Sequence, residues 1–119
     1  MPVVTVIGTH ANSATYNDPV LTRRLHAALR DWLGDSRVVI GEPEMGGEDF
    51  SELGRTVDKV PICLLRLGAV DPVKAAESQR TGVPLPSLHS SKFAPVPEPT
   101  IKTGVTALTA AVLDLLAKK

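Results

Sequence analysis

Apolar residues recur along this chain in two rhythms, separated by nine glycines and ten prolines that fall between the periodic stretches. Val3-Val4-Thr5-Val6-Ile7 is rich in β-branched residues and stops at Gly8, which predicts a strand. Residues 9–17 are polar and irregular and read as a hinge or crossing segment. A helix start follows, with Asp18 as N-cap and Pro19 at the first helical position, where a missing N–H costs nothing. Leu21, Leu25, Ala28, Leu29, Trp32 and Leu33 then return at helical spacing up to Gly34, which supplies a left-handed stop. Val38-Val39-Ile40 predicts a short strand closed by Gly41 and Pro43, and residues 45–54 predict a glycine turn opening one short helix. Residues 62–67 are nearly continuous apolar sequence between Pro61 and Gly68, the pattern of a strand covered on both faces. A long connection with six prolines runs from Ala69 to Pro99. Ile101, Val105, Leu108, Val112, Leu115 and Leu116 line one stripe of a closing helix, with lysines at its negative end. Gly104 weakens its first turn by about 1 kcal/mol relative to alanine. Strand, helix, strand, helix, strand, loop and helix make an α/β alternation.

A length of 119 residues, 43% apolar and 22% charged, fits one globular domain. Thirteen basic residues balance thirteen acidic ones, and only four are aromatic, so the electrostatic footprint of a nucleic-acid binder is missing. One cysteine makes no internal disulfide, which favours a reducing compartment, and we expect a cytoplasmic protein. No stretch approaches the ~18 apolar residues of a membrane span, and the uncharged start before Gly8 does not read as a signal sequence.

Few residues bear chemistry. Cys63 lies among apolar neighbours and reads as an inert thiol. Ser51, Ser90 and Ser91 lack a G-x-S-x-G elbow, and Gly46-Gly47 is neither a dinucleotide fingerprint nor a P-loop. His10 and His26 read as ordinary loop and helix histidines. His89 differs: it ends the proline-rich loop and is flanked by Leu88 and Phe93. A hydrolytic zinc site takes about three protein ligands, often from loops after buried strands. His89, Glu48 and Asp49 are expected on one edge of the sheet, an incomplete metal edge because neighbouring Glu48 and Asp49 diverge.

Two segments together carry a resemblance. Met45-Gly46-Gly47-Glu48-Asp49-Phe50, followed by Leu88-His89-Ser90-Ser91-Lys92-Phe93, resembles the C-terminal signature of metal-dependent amidohydrolases that include hippurate hydrolase, aminoacylase and carboxypeptidase-G-type enzymes. The segment Tyr16-Asn17-Asp18-Pro19, the apolar run 62–68 and the closing helix fit the same order. The resemblance implies an α/β fold, part of a di-zinc aminopeptidase/phosphorylase-like catalytic domain with a mixed sheet and flanking helices, plus one leftover lid-domain strand. Residues 1–14 would be the last lid strand and hinge, and residues 15–119 the C-terminal segment of the catalytic domain. His89 would be the last ligand of a site holding two zinc or other divalent metal ions. Glu48 would stand beside metals or substrate, and Gly46 and Gly47 would present backbone to the bound N-acyl amino acid.

The family's early H-x-D or C-x-H motif and its Glu-Glu pair have no counterpart here, and its lid histidine is not identifiable. No catalytic residue is identifiable in the chain, which supplies about one metal ligand. The function expected from the resemblance is therefore that of a C-terminal fragment of a zinc-dependent amidohydrolase, a hydrolase of hippurate-like amides by metal-activated water, inactive in isolation. The alternative is a non-catalytic binding or assembly module that retains the scaffold. The expected partner is the missing N-terminal part of the enzyme or a second copy of the chain.

Overall fold

The computed structural model describes residues 2–3, 13–46 and 48–117, and the elements in them are helical. Helix α1 spans Pro19–Leu33, α2 Pro72–Thr81 and α3 Pro97–Leu116, with short 3₁₀ helices at Asp35–Arg37 and Asp49–Arg55. No helix among the described residues is long and apolar enough to cross a membrane.

Helix α1 forms as its punctuation dictates. The Asp18 carboxylate accepts from the Leu21 N–H at 2.7 Å, satisfying one of the orphan donors of the first turn. At the other end Gly34 takes φ +91°, and its N–H donates to the Arg30 carbonyl at 2.8 Å. The same grammar builds α2 inside the stretch read as a long connection. Asp71 accepts from Val73 and Lys74, Pro72 opens the helix, and Gly82 closes it at φ +73°. Helix α3 begins at Pro97, four residues earlier than its apolar stripe suggests. Prolines are tolerated in a first turn because their absent N–H would be unpaired there anyway.

The expected α/β fold with a mixed sheet is not found, for the described residues contain no strand. Val39 and Ile40, read as strand, are about four-fifths exposed and unpaired in any ladder. Residues 62–67, read as a strand covered on both faces, are irregular, with Leu65 and Leu67 each more than two-fifths exposed. The physical reason is that a strand needs a neighbour for its alternating N–H and C=O groups. Here the neighbour is one short segment: Asp18 N–H donates to the Ile62 carbonyl at 2.9 Å, and the Asn17 side chain holds Leu64. The expected strand at 3–7 lies, apart from Val3, outside the described residues, as do His10, Gly47 and the two terminal lysines.

The core is the contact of α1 with α3. Leu25 and Leu29 of α1 and Ala110 and Ala111 of α3 are buried. Alanines let the two axes approach closely, and Arg24 of α1 ties the far end by donating from Nε to the Asp114 carboxylate at 2.6 Å, and from Nη2 to the Asp114 carbonyl. The bulkier stripe of α3 points away from this contact: Ile101, Val105, Leu108 and Leu116 are each at least 60% exposed. Across the molecule the accessible surface is 10245 Å². A compact chain of this mass exposes about 6,200 Å². The radius of gyration, 18.0 Å, likewise exceeds the ~13.5 Å of a compact chain of this length.

Candidate functional site

His89 stands on a pair of consecutive turns. The Ser90 N–H donates to the Ser87 carbonyl at 2.9 Å, and the Phe93 N–H donates to the Ser90 carbonyl at 3.0 Å. The Ser90 hydroxyl accepts from the Lys92 N–H at 3.1 Å, which locks the second turn. Phe93 is half-buried, whereas Leu88 and His89 are exposed, so the turns present the imidazole at their tip. Downstream, the Val96 N–H donates to the Ala69 carbonyl at 2.9 Å, closing the 69–96 excursion into a loop that carries α2 and His89 together.

Glu48 precedes the 3₁₀ helix Asp49–Arg55 and caps it, its Oε1 accepting from the Phe50 N–H at 3.3 Å. Its backbone carbonyl accepts from the Ser51 hydroxyl at 3.1 Å, and Ser51 is almost wholly buried. The sequence offered Ser51 only as a serine without a nucleophile elbow; the structure makes it the pin of this turn. Gly46 is exposed, and a Cβ there would meet nothing within 4 Å, so no close approach among the described residues requires glycine at that position. Gly47 lies outside the described residues. The loop before Glu48 is fastened by an ion pair between Glu44 and Arg66, both largely exposed.

These residues do not by themselves fit a zinc site. Zinc takes three or four protein ligands, and among the described residues no group of three or more His, Cys, Asp or Glu side chains could hold a metal ion.

Two hollows were not foreseen from sequence. A groove of about 430 Å³ lies between α1 and α3, walled by Ala28, Trp32, Ala110 and Leu113, with Arg24, Asp31 and Asp114 at its rim. A smaller hollow of about 260 Å³ lies beside Ser51, between Tyr16, Arg55, Lys59 and Ile62. Gly54 borders it for a steric reason: a Cβ there would stand 3.1 Å from the Ile62 side chain. Compared with protein-family models, curated proteins and solved structures, the chain shows no significant match to any.

Proposed function

We propose that this chain is the C-terminal part of a metal-dependent amidohydrolase acting on N-acyl amino acids of the hippurate type, inactive alone, and placed in the cytoplasm. His89 is the metal ligand it contributes, and Gly46, Gly47 and Glu48 line the substrate side. One observation carries the reading: Met-Gly-Gly-Glu-Asp-Phe at 45–50 and Leu-His-Ser-Ser-Lys-Phe at 88–93 stand in this order in one chain. Two structural features support it. The His89 imidazole is exposed on a turn rather than enclosed in aliphatic side chains. The surface exceeds that of a compact chain by about 4,000 Å², as expected of a fold whose covering part lies elsewhere.

A second reading, a non-catalytic assembly module, draws on the outward-facing apolar stripe of α3.

The coding sequence upstream of Met1 separates the two. Metal-ligand motifs of the H-x-D type and a Glu-Glu pair in frame support the enzyme reading, and their absence overturns it. With the joined protein expressed, His89→Ala should lower kcat/KM for hippurate by about 100-fold or more, because loss of a ligand exceeds the 10–100-fold cost of losing a group behind one. In the present chain, zinc titration of wild type and His89→Ala should give equal, weak uptake. Hydrolysis of hippurate by the purified chain alone, at enzymatic rates, would overturn the account of the missing base.

A further inference from the structure

We propose that the hollow beside Ser51 binds a small monocarboxylate with an apolar body, its anionic head held by Arg55 and Lys59. Both cations border the hollow, and neither takes part in an ion pair among the described residues. Arg55 spends one donor, Nη2, on the Ala14 carbonyl at 3.4 Å, which ties it to the segment that carries Tyr16 and leaves the rest of its fork for a ligand. Lys59 is the one non-glycine residue with positive φ among the described residues, at +46°, and its N–H donates to the Thr56 carbonyl at 3.0 Å. A side chain held in that strained region is a mark of ligand clamps. Thr15, between Ala14 and Tyr16, has a buried hydroxyl oxygen with no hydrogen-bond partner. A buried hydroxyl left unpaired calls for a partner from outside the chain, and an oxyanion supplies an acceptor.

Charge and shape select the ligand. The lining holds two cations and one carboxylate, Asp18, whose Oδ1 already accepts from the Leu21 N–H, so the hollow carries one net positive charge. That suits a monoanion better than a phosphate dianion. Val60, Pro61 and Ile62 form an apolar wall beside the cations, which a bare inorganic anion would leave unused. The volume, about 260 Å³, falls below the ~300–1,000 Å³ of sites for drug-sized ligands and limits the body to a single ring or a short chain. A guanidinium fork takes a carboxylate through two parallel hydrogen bonds, and the lysine adds a mobile point charge. This inference does not rest on the amidohydrolase reading, and either can fail without the other.

NMR titration of the full chain with phenylacetate tests it. The backbone amides of Arg55, Lys59 and Ile62 should shift together and saturate, with a dissociation constant in the low millimolar range expected of so small a ligand. Arg55→Gln and Lys59→Gln should each weaken binding about tenfold, the loss expected when a charge-assisted hydrogen bond is removed. Both residues are exposed, so circular dichroism of the variants should keep the wild-type signal. Lys74→Gln, which removes an exposed cation on α2, should leave the affinity unchanged. Phenylacetamide, the neutral counterpart, and inorganic phosphate should both bind at least about tenfold more weakly. No saturable shift at these amides, equal affinity for the amide or for phosphate, or an equal loss in Lys74→Gln would each overturn the proposal.

Discussion

The side-chain amide of Asn17 holds both backbone polar groups of Leu64. Its Oδ1 accepts from the Leu64 N–H at 2.7 Å, and its Nδ2 donates to the Leu64 carbonyl at 3.0 Å. This is the double exchange that two residues make across an antiparallel ladder, performed here by one carboxamide. With the Asp18 N–H on the Ile62 carbonyl, it fixes the apolar segment 62–64 beside the start of α1. The Thr22 hydroxyl, 3.6 Å from the Cys63 sulfur, extends the same contact.

Asn17→Ala leaves both groups of Leu64 without a protein partner. Because the site is only partly buried, water recovers some of the loss, and we expect a cost of about 1–2 kcal/mol. Asn17→Asp keeps the acceptor but turns the donor into a carboxylate facing a carbonyl, so it should cost at least as much. Urea unfolding of the three proteins measures the order.

The helix-ending glycines separate from the others by backbone conformation. Gly34 and Gly82 have positive φ, at +91° and +73°, whereas Gly41 does not and has open space where a Cβ would stand. Alanine at 34 or 82 should destabilise by about 1–3 kcal/mol through backbone strain. Gly41→Ala should be neutral or slightly stabilising, because it restricts only the unfolded chain. Thermal unfolding of the three variants gives the comparison.

Gly104 sets two effects against each other. Alanine gains about 1 kcal/mol of helix propensity at an interior position. Its Cβ would stand 3.2 Å from the Leu67 Cδ2, close enough that Leu67 must shift by a few tenths of an ångström. Leu67 is 42% exposed and free to move outward, so the propensity term should win with a net gain of about 0.5 kcal/mol. A loss of stability in Gly104→Ala would show that segment 62–67 is held more rigidly against α3.

Asp35 gives the pH dependence a sign. The Arg30 guanidinium donates to its Oδ1 at 2.8 Å, and this hydrogen bond, then the charge of Arg30 and lastly that of His26, holds the carboxyl below its ordinary value. A depressed folded-state value means that the contribution is present above the unfolded-state value and is lost as pH falls through the folded one. Carbon NMR titration should place the Asp35 midpoint below that of an unpaired aspartate, and Arg30→Gln should return it upward. Both side chains of the pair are open to solvent, so added salt should weaken the shift.

Helix α1 was legible because two independent signals coincide in it, the Asp–Pro start with its glycine stop and the apolar spacing between them. Helix α2 has the first signal in full, Asp71-Pro72 to Gly82, and lacks the second, for none of its residues is buried. A reading led by periodicity passes over such a helix, which stands on its caps alone. The short helix after Gly47 was legible from Glu48 and Asp49, acids at a positive helix end. His89 could be singled out by its place between Leu88 and Phe93, but its exposure depends on two turns whose hydrogen bonds are not written in residue type.

What residue order alone determined is local: where helices begin and end, since caps, prolines and glycines act on backbone groups within a few positions of themselves. What only the tertiary structure decided is which surfaces meet. The runs at 38–40 and 62–67 have the composition of strands, but a strand is a relation between segments, and the partner found by 62–64 is a side chain and one N–H. The stripe of α3 likewise announces a covered face without naming its cover, and α1 took the alanine side instead, where the backbones could come close enough for Arg24 to reach Asp114.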